Sequence, residues 1–259
     1  MSRVLITGSS DGLGLLAGRK LAEQGHAVTL HARSEPRAAD AKRALPAAER
    51  VLVGDVSTLA GMRAVAEQAN SSGAFDAVIH NVGVGDQEKR AYTADGLEHV
   101  FAINVLAPYV LTALVAPPKR LVYLTSGMHR GGKADLKDPQ WKSRPWNGTQ
   151  AYSDSKLFDV VLAFAVARRW RGVLSNAVDP GWVPTRMGGP NAPDDLNLGA
   201  ATQVWLAVSE DKAAKTSGDL FHFQRLREPH IGATDPEAQD GLIGYCEKIS
   251  GVVLTMGTQ

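Results

Sequence analysis

A glycine-rich loop near the amino terminus places the strongest constraint on how this chain can fold. The loop, Thr7–Gly14, follows a short apolar run at Arg3–Ile6 and precedes a helical pattern over about residues 14–24, which Gly25 ends. Glycines allow a tight turn and a close approach of the backbone to a diphosphate, and the following helix offers free N–H groups with a partial positive charge. A strand, this loop and a helix in that order therefore predict a dinucleotide-binding site.

Short apolar runs alternate with helical stretches along the rest of the chain. Further strands are predicted at residues 27–30, 49–53, 76–80, 121–125, 175–178 and 220–223, with helices that end at about residue 73 and span about 96–115 and 152–170. The strands are continuous apolar runs, as expected for a parallel sheet that is covered on both faces. The order predicts an α/β fold, a Rossmann-type doubly wound parallel sheet of about seven strands with helices on both faces.

No internal repeat or linker interrupts this pattern, so residues 1–259 are predicted to form a single domain. Its cofactor part would span about residues 1–125, and its catalytic and substrate part about residues 126–259. The segment 188–198 is rich in Gly, Pro, Asn and Asp, which predicts a mobile loop. The tail beyond about residue 225 receives no structural assignment from the sequence.

Composition and charge argue against several classes of function. The 259 residues carry a formal net charge of +1, which gives no basic surface for nucleic acid, and the 44% apolar residues suffice for a large core. The single cysteine, Cys246, is predicted to be an inert thiol, and no Cys/His cluster indicates a metal site. No apolar run approaches the ~20 residues of a membrane span, and Met1–Arg3 leads into the first strand rather than into a signal peptide. We expect a cytoplasmic protein.

Tyr152 and Lys156 have the spacing of a proton donor and a cation that assists it, since residues four apart share one face of a helix. A ketone that accepts a hydride develops negative charge on its oxygen and finally takes a proton. A phenol, with an unperturbed pKa of about 10, can supply that proton when a nearby cation favours the phenolate. Ser126 ends a predicted strand, where its hydroxyl can donate to the same oxygen. These residues predict hydride transfer between a nicotinamide and a carbonyl or alcohol.

The choice between the two nicotinamide cofactors depends on the end of the second predicted strand. An acid about 20 residues after the glycine loop binds the ribose of NAD, whereas an arginine accommodates the 2′-phosphate of NADP. The segment Leu30–Ser34 holds no acid and contains Arg33, whose planar guanidinium suits a phosphate. The sequence therefore favours NADP(H), with NAD(H) as the alternative.

The motifs occur in the order typical of one enzyme family. Thr7-Gly8-x-x-x-Gly12-x-Gly14, the tyrosine–lysine pair and Pro180-Gly181 resemble the motifs of short-chain dehydrogenases/reductases, over residues 3 to about 187. The resemblance implies a catalytic tetrad of Asn104, Ser126, Tyr152 and Lys156. It implies cofactor contacts from Gly8, Ser9, Ser10, Asp11, Gly12, Leu13, Gly14, Arg33, Asp55, Val56, Asn81, Val82, Gly83, Tyr152, Lys156, Pro180, Gly181, Val183 and Thr185.

A long interval between the serine and the tyrosine narrows the resemblance to one branch of the family. Ser126-x-x-His129 followed by Ala151-Tyr152 resembles retinol dehydrogenases, protochlorophyllide reductases and some polyketide-type ketoreductases. The branch mostly uses NADP(H) and often takes bulky, apolar small molecules, which the resemblance implies here. Three tryptophans would either line the substrate pocket or pack the inserted segment: Trp141, Trp146 and Trp182.

The predicted helix over residues 152–170 is apolar on several faces, which indicates that it is buried. In the homodimers that many family members form, part of this face would pack against a second subunit. Members of this branch also occur as monomers, so the resemblance leaves both states open.

Three functions are compatible with these residues. The first is an NADP(H)-dependent oxidoreductase that interconverts a ketone or aldehyde and an alcohol, with Tyr152 as the proton donor or acceptor. The second is a reductase of C=C bonds of the protochlorophyllide type, and the third is a dinucleotide-binding sensor without turnover. The intact tetrad argues against the sensor, because a sensor would be free to lose Tyr152 or Lys156. The first function is our leading prediction.

Overall fold

The computed structural model describes residues 1–255, in which eight β-strands form one sheet. The strands are β1 (Arg3–Ile6), β2 (Ala27–Ala32), β3 (Arg50–Val53), β4 (Ala77–His80), β5 (Arg120–Leu124), β6 (Leu174–Asp179), β7 (Leu220–His222) and β8 (Arg225–Arg227). The first seven lie where apolar runs predict strands. The sequence does not predict β8, because its three residues are exposed and form no apolar run. The last four residues of the predicted domain, 256–259, lie outside the described part of the chain.

Helices fill the connections between the parallel strands, and two further helices follow β8. They are α1 (Gly12–Glu23), α2 (Glu35–Ala44), α3 (Leu59–Ser71), α4 (His99–Phe101), α5 (Ala107–Leu114), α6 (Gly148–Arg169), α7 (Leu196–Val208), α8 (Ile231–Thr234) and α9 (Pro236–Ser250). The sequence does not predict α2, which buries only Ala38 and Ala41 and so lacks a clear apolar stripe. Across residues 1–255, no helix combines the length and the apolar character needed to cross a membrane.

The sequence predicts a loop over residues 188–198, but α7 begins inside this segment, at Leu196. Asp195 accepts hydrogen bonds from the backbone N–H groups of Asn197 and Leu198, at 2.7 and 3.0 Å. An acid in this position satisfies N–H groups that have no partner within the helix. The polar composition that predicts a loop therefore includes the residue that starts the helix.

The strand order is β3-β2-β1-β4-β5-β6-β7-β8, which confirms the predicted doubly wound sheet with one additional strand. Neighbouring strands are parallel from β3 to β7, and only the edge pair β7 and β8 is antiparallel among the described strands. The order reverses between β1 and β4. Ligands of open parallel sheets bind outside the carboxyl ends of the strands at such a reversal, where the connections leave in opposite directions.

Adjacent residues of β1 show why the strand must be apolar along its whole length. Val4 and Ile6 belong to one core cluster with residues of α1 and α7, whereas Leu5 belongs to the cluster on the other face, with residues of α3, α5 and α6. All three side chains are fully buried. Successive side chains of a strand point to opposite faces, so a sheet covered on both sides needs continuous apolar runs.

The helix predicted over residues 96–115 starts later and changes its pitch. Buried Glu98 begins α4 by accepting hydrogen bonds from the N–H groups of Val100 and Phe101, each at 2.8 Å. Between α4 and α5 the chain forms a π-helical turn, Ala102–Leu106. Such turns are rare and frequently occur at functional sites. This one contains Asn104.

The C-terminal helix α9 covers α6. Its Leu242, Ile243 and Cys246 are at most 1% exposed and belong to the same core cluster as the apolar residues of α6. The sequence suggests that a second subunit packs on the apolar face of α6. In the structure, α9 of the same chain covers part of that face. Dimerisation stays a prediction.

Cys246 provides a test of this packing. Burial raises the pKa of its thiol, and the thiolate is the form that reacts. We expect Ellman's reagent to label Cys246 in the native protein at least about 100-fold more slowly than an exposed cysteine, because labelling requires α9 to open. Lys248→Cys in a Cys246→Ser background is the exposed control on the same helix. Fast labelling of native Cys246 would contradict the packing of α9.

Candidate active site

The glycine loop connects β1 to α1 in a conformation that side chains would obstruct. Gly8 and Gly12 have φ angles of +60° and +53°, in the left-handed region that favours glycine. A Cβ atom added at Gly8 would lie 2.7 Å from the Val82 Cα atom. One added at Gly14 would lie 2.4 Å from the Asn81 Nδ2 atom. The loop thus packs on the segment after β4 and presents bare backbone at the start of α1, as a phosphate cradle requires.

Two side chains hold this loop, one from each side of β1: Asn81 directly follows β4, and His31 lies in β2. The Nδ2 atom of Asn81 donates to the carbonyl oxygens of Thr7 and Gly8, at 3.0 and 2.8 Å. His31 of β2 accepts from the Gly8 N–H group at Nδ1, at 3.0 Å, and donates from Nε2 to the Gly54 carbonyl, at 2.9 Å. These bonds need a neutral imidazole, in line with burial, which lowers the pKa of His31. The sequence does not single out His31; its signal is a histidine inside an apolar strand.

Two arginines lie near the loop at the end of β2. Arg33, the predicted ligand of a 2′-phosphate, is exposed. Arg37 of α2, which the sequence does not single out, donates to the Asp11 carboxylate and to the Ser10 hydroxyl, at 2.5 and 3.2 Å. The acid in the loop is therefore paired with a cation. The spacing of four residues between the arginines is the signal that could have identified the second.

The residues expected to contact the adenine lie just beyond β3. Asp55 is exposed, and its Oδ1 atom accepts a hydrogen bond from the Ser57 N–H group at 2.9 Å. Val56 is buried in the core cluster that includes α3. These positions are at the carboxyl edge of the sheet, as the resemblance implies.

Asn104, in the π-helical turn, links the segment after β4 to α6. Its Oδ1 atom accepts from the Val84 N–H group at 2.8 Å, and its Nδ2 atom donates to the Val84 carbonyl at 3.0 Å and to the Ser155 hydroxyl at 2.9 Å. A Cβ atom added at Gly83 would lie 3.5 Å from both Asn104 Oδ1 and Lys156 Nζ. These groups therefore converge at one place.

Ser126 and Tyr152 are partly exposed at the carboxyl edge of the sheet. Ser126 follows β5, and its hydroxyl oxygen accepts from the Met128 N–H group at 3.2 Å. Tyr152 lies near the start of α6, which Asn147 fixes by accepting from the Gln150 N–H group at 2.9 Å. Both hydroxyl-bearing side chains are thus open to a ligand.

Lys156 is buried beside Tyr152 and bound to an acid that the sequence does not single out. Its Nζ atom lies 5.9 Å from the centroid of the Tyr152 ring and donates to the Leu124 carbonyl at 3.0 Å and to Asp159 Oδ2 at 2.8 Å. Burial by itself lowers the pKa of Lys156, but the Asp159 carboxylate, with a further contribution from Tyr152, more than offsets this effect and the pKa is raised. The sequence signal that could have identified Asp159 is a carboxylate within the otherwise apolar run Leu157–Phe164.

The segment after β6 lies against the glycine loop. Gly181 has a φ angle of +80°, and its N–H group donates to Asp179 Oδ1 at 3.0 Å, which forms a tight turn at Pro180-Gly181. Val183 is buried, and a Cβ atom added at Gly12 would lie 4.0 Å from the Thr185 Cγ2 atom. The residues expected near the nicotinamide and those expected near the diphosphate therefore border the same crevice.

Two of the three tryptophans pack the inserted segment. Trp141 is 5% exposed and meets Trp146 edge-to-face, with ring centroids 5.9 Å apart. The Arg144 guanidinium lies 3.5 Å from the Trp141 ring centroid, and Trp146 Nε1 donates to the Gln87 carbonyl at 3.0 Å. Trp182 is 60% exposed. Of the two roles that the sequence leaves open for these tryptophans, packing of the inserted segment therefore applies to Trp141 and Trp146. Among the three, Trp182 stays a candidate for the substrate pocket.

The model of the short chain dehydrogenase family matches residues 2–195. This chain belongs to the short-chain dehydrogenase family. The matched region contains the glycine loop, all four tetrad positions and the turn after β6, so the resemblance inferred from those motifs is confirmed.

Similarity to known short-chain dehydrogenases extends beyond the matched region. An uncharacterized oxidoreductase of Emericella nidulans is 44% identical over 259 aligned residues, which cover 97% of this chain and 98% of the relative. A short-chain dehydrogenase of Penicillium rubens is 40% identical, with 98% and 99% covered. Human retinol dehydrogenase 13 is 28% identical, with 96% and 84% covered, in agreement with the predicted branch.

Solved structures share the fold of this dehydrogenase. An uncharacterized protein from Mycobacterium paratuberculosis superposes with a TM-score of 0.85 at 24% identity, over 98% of this chain and 95% of that one. A blue fluorescent protein from a metagenomic library, solved in complex with NADPH, superposes with a TM-score of 0.68 at 21% identity, over 85% and 95%. At these identities the likeness concerns the fold alone.

The glycine loop of the dehydrogenase can be tested by adding one methyl group. Gly8→Ala places a side chain at a φ of +60° and within 2.7 Å of the Val82 backbone, whereas Gly25→Ala meets a φ of +80° with no atom within 4 Å. We expect Gly25→Ala to lower the free energy of unfolding by about 1–2 kcal/mol, the cost of the left-handed conformation. Gly8→Ala should cost more, in urea unfolding, because the clash adds to the strain. Equal effects would contradict the close approach.

Proposed function

We propose that this short-chain dehydrogenase is an NADP(H)-dependent oxidoreductase that interconverts a ketone or aldehyde and an alcohol. The observation that carries the proposal is the partly exposed ring of Tyr152, with the buried Lys156 ammonium 5.9 Å from its centroid. A phenol at the ligand-binding edge of the sheet, with a cation beside it, is suited to exchange a proton with a carbonyl oxygen.

The residues around the crevice fit a phosphorylated dinucleotide. Gly8 and Gly14 let the loop pack closely on the segment after β4. Gly12 leaves open space at the start of α1, since an added Cβ atom would have only Thr185 Cγ2 within 4 Å, and the backbone N–H groups there can bind a diphosphate. Arg33 and Arg37 would hold the 2′-phosphate. When bound, the nicotinamide donates or accepts the hydride. A protein of the same fold, 21% identical, has been solved with NADPH, so the fold accommodates this cofactor.

Each residue of the tetrad has one task in this proposal. The Ser126 hydroxyl donates to the carbonyl oxygen and stabilises the negative charge that develops there. Tyr152 gives its proton to that oxygen during reduction and takes one during oxidation. The Lys156 ammonium stabilises the phenolate that remains. Asn104 keeps α6 in place through its hydrogen bond to Ser155, at 2.9 Å.

Large apolar side chains beside the crevice support a bulky, apolar substrate. Met128, Trp182 and Met187 are 39%, 60% and 55% exposed. Met128 comes shortly after the tetrad serine. A Cβ atom added at Gly85 would lie 3.3 Å from the Met187 Cγ atom, so the segments after β4 and after β6 approach each other there. A group of exposed apolar residues at a site is typical of a binding surface.

Tyr152→Phe tests the mechanism, because it removes the phenol oxygen and keeps the ring. We expect NADPH-dependent reduction of a panel of aromatic ketones and aldehydes to fall by about 10²–10⁴-fold, the usual contribution of a positioned acid. NADPH affinity, measured by fluorescence titration, should stay close to that of the wild type. Tyr92→Phe, at a phenol that is 53% exposed, is the control and should keep full turnover.

Other outcomes of that experiment favour other functions. Full turnover by Tyr152→Phe would exclude the tyrosine as the proton donor. A wild type that reduces only the C=C bond of an enone would favour a double-bond reductase. NADPH binding without turnover of any compound in the panel would favour a sensor.

The two arginines test the cofactor preference. Arg33→Ala and Arg37→Ala should each weaken NADPH binding by about 10–100-fold, since each removes a charged hydrogen bond to the 2′-phosphate. NADH binding should not change, because NADH lacks that phosphate. Arg43→Ala is the matched control, an exposed arginine of α2 that pairs with Asp40. Equal affinity of the wild type for NADH and NADPH, in side-by-side titrations, would contradict the assignment.

A further inference from the structure

An acid in the core of α6, Asp159, lies next to the tetrad and has no task in the reaction described above. It is 2% exposed, and its sequence neighbours Phe158 and Val160 belong to the apolar core. A buried carboxylate is strongly unfavourable unless it is paired. Its partner is Lys156: the Asp159 Oδ2 and Lys156 Nζ atoms are 2.8 Å apart, and the two side chains are 3% and 6% exposed.

The lysine depends on this acid as much as the acid depends on the lysine. A protonated lysine has three N–H donors, and two of them bind the Leu124 carbonyl and the Asp159 carboxylate. The carbonyl is neutral and cannot offset the charge of the ammonium. Asp159 is therefore the anion that compensates Lys156 inside the core.

The strands near this pair, β5 and β4, place no second charge against it, and Asp179 at the end of β6 directs its carboxylate to the Gly181 N–H group, at 3.0 Å, and to His222 Nδ1, at 3.5 Å. Tyr123 of β5 faces Asp159, and its phenol, whose pKa burial raises, hydrogen-bonds to Thr112 at 2.7 Å. His80 of β4 stacks on Tyr123 with ring centroids 4.8 Å apart, and burial lowers the pKa of His80 to about 3. Both rings are thus uncharged near neutral pH.

The other elements packed on α6 direct their polar groups elsewhere. The π-helical turn contributes Asn104, which carries no charge. His129, in the 3₁₀ turn after β5, hydrogen-bonds to the Ser126 carbonyl through Nδ1 at 2.7 Å. The ion pair between α6 and α9, Arg168 with Asp240, lies at the opposite end of α6. Lys156 is accordingly the charged group whose field acts on Asp159.

We propose that Asp159 is a positioning residue, which keeps the Lys156 ammonium charged and fixed beside Tyr152. Without a partner, a fully buried lysine loses its proton at a pH several units below the usual value. A neutral amine does not stabilise a phenolate, so the lysine would then fail in its task at neutral pH. The effect on catalysis rests on the function proposed above, whereas the effect on the charge of Lys156 does not.

Asp159→Asn tests this directly, because it keeps the shape and one acceptor oxygen and removes the charge. In cofactor-free protein labelled with ¹³C at the lysine Cε atoms, the Lys156 signal is identified by its loss in Lys156→Met. We expect its titration midpoint in Asp159→Asn to fall by at least about two pH units. Asp159→Glu, which retains the carboxylate, should recover most of that shift.

A second buried acid of α6 provides the control. Asp154 is 2% exposed and pairs with Arg144 at 3.0 Å, without contact to Lys156. Asp154→Asn should lower the stability and leave the Lys156 midpoint unchanged. An unchanged midpoint in Asp159→Asn would overturn the proposal.

The pH profile of turnover connects the charge to the reaction. With NADPH and an aromatic ketone that the wild type reduces, Asp159→Asn should lose kcat first on the alkaline side, where the amine is neutral, and Asp159→Glu should regain it. A profile that coincides with the wild type would overturn the catalytic part. If the midpoint falls while Tyr152→Phe keeps full turnover, the proposed function fails and the positioning of Lys156 stands.

A double-mutant cycle covers the case in which Asp159→Asn does not fold. Lys156→Met leaves a buried acid without its partner, and Asp159→Leu leaves a buried amine without its partner. The double variant contains neither group. The double variant should be more stable in urea than the sum of the single losses predicts. Additive losses would show that the two side chains do not depend on each other and would overturn the proposal.

Discussion

The whole candidate site depends on one constraint, the parallel sheet whose strands end at a common edge. Because β1, β4, β5 and β6 are parallel, the segments that follow them emerge side by side. The reversal of strand order between β1 and β4 opens the crevice between them. Thr7 and Asn81 are 74 positions apart in the chain, yet the Asn81 N–H group donates to the Thr7 hydroxyl at 3.1 Å. The fold therefore assembles the site from residues that have no proximity in sequence.

Irregular backbone at this edge obtains its hydrogen bonds from side chains of neighbouring strands. Backbone N–H and C=O groups that are buried outside helices and sheets still need partners. Three residues of the glycine loop, Gly8, Gly12 and Gly14, carry no side chain, so its backbone can approach a ligand. His31 and Asn81 supply the missing partners for Thr7 and Gly8. His31, on β2, thus shapes the loop without being among the residues expected to bind the cofactor, whereas Asn81, after β4, belongs to both groups.

The range of each interaction decides what the sequence can predict. Continuous apolar runs, glycine spacing and the four-residue interval between Tyr152 and Lys156 are local patterns, and they predict seven strands and the placement of the tetrad. His31 and Arg37 acquire their contacts through tertiary structure. The spacing of Asp159 from Lys156 is visible in the sequence, but the burial that makes this pair important depends on β5 and the surrounding core. The cover that α9 forms over α6 is likewise a tertiary contact without a local signal.

Two cations of the site are each paired with an aspartate, and burial gives the two pairs opposite properties. The side chains of Arg37 and Asp11 are 31% and 55% exposed, whereas those of Lys156 and Asp159 are 6% and 3% exposed. An exposed pair contributes at most about 1 kcal/mol, so Arg37 can turn from Asp11 to a phosphate at little cost. Separation of a buried pair leaves an uncompensated charge, at a cost of about 3–5 kcal/mol. Arg37, which we propose binds the cofactor phosphate, is therefore free to adapt to its ligand, while Lys156, beside the proposed proton donor Tyr152, is held in one place.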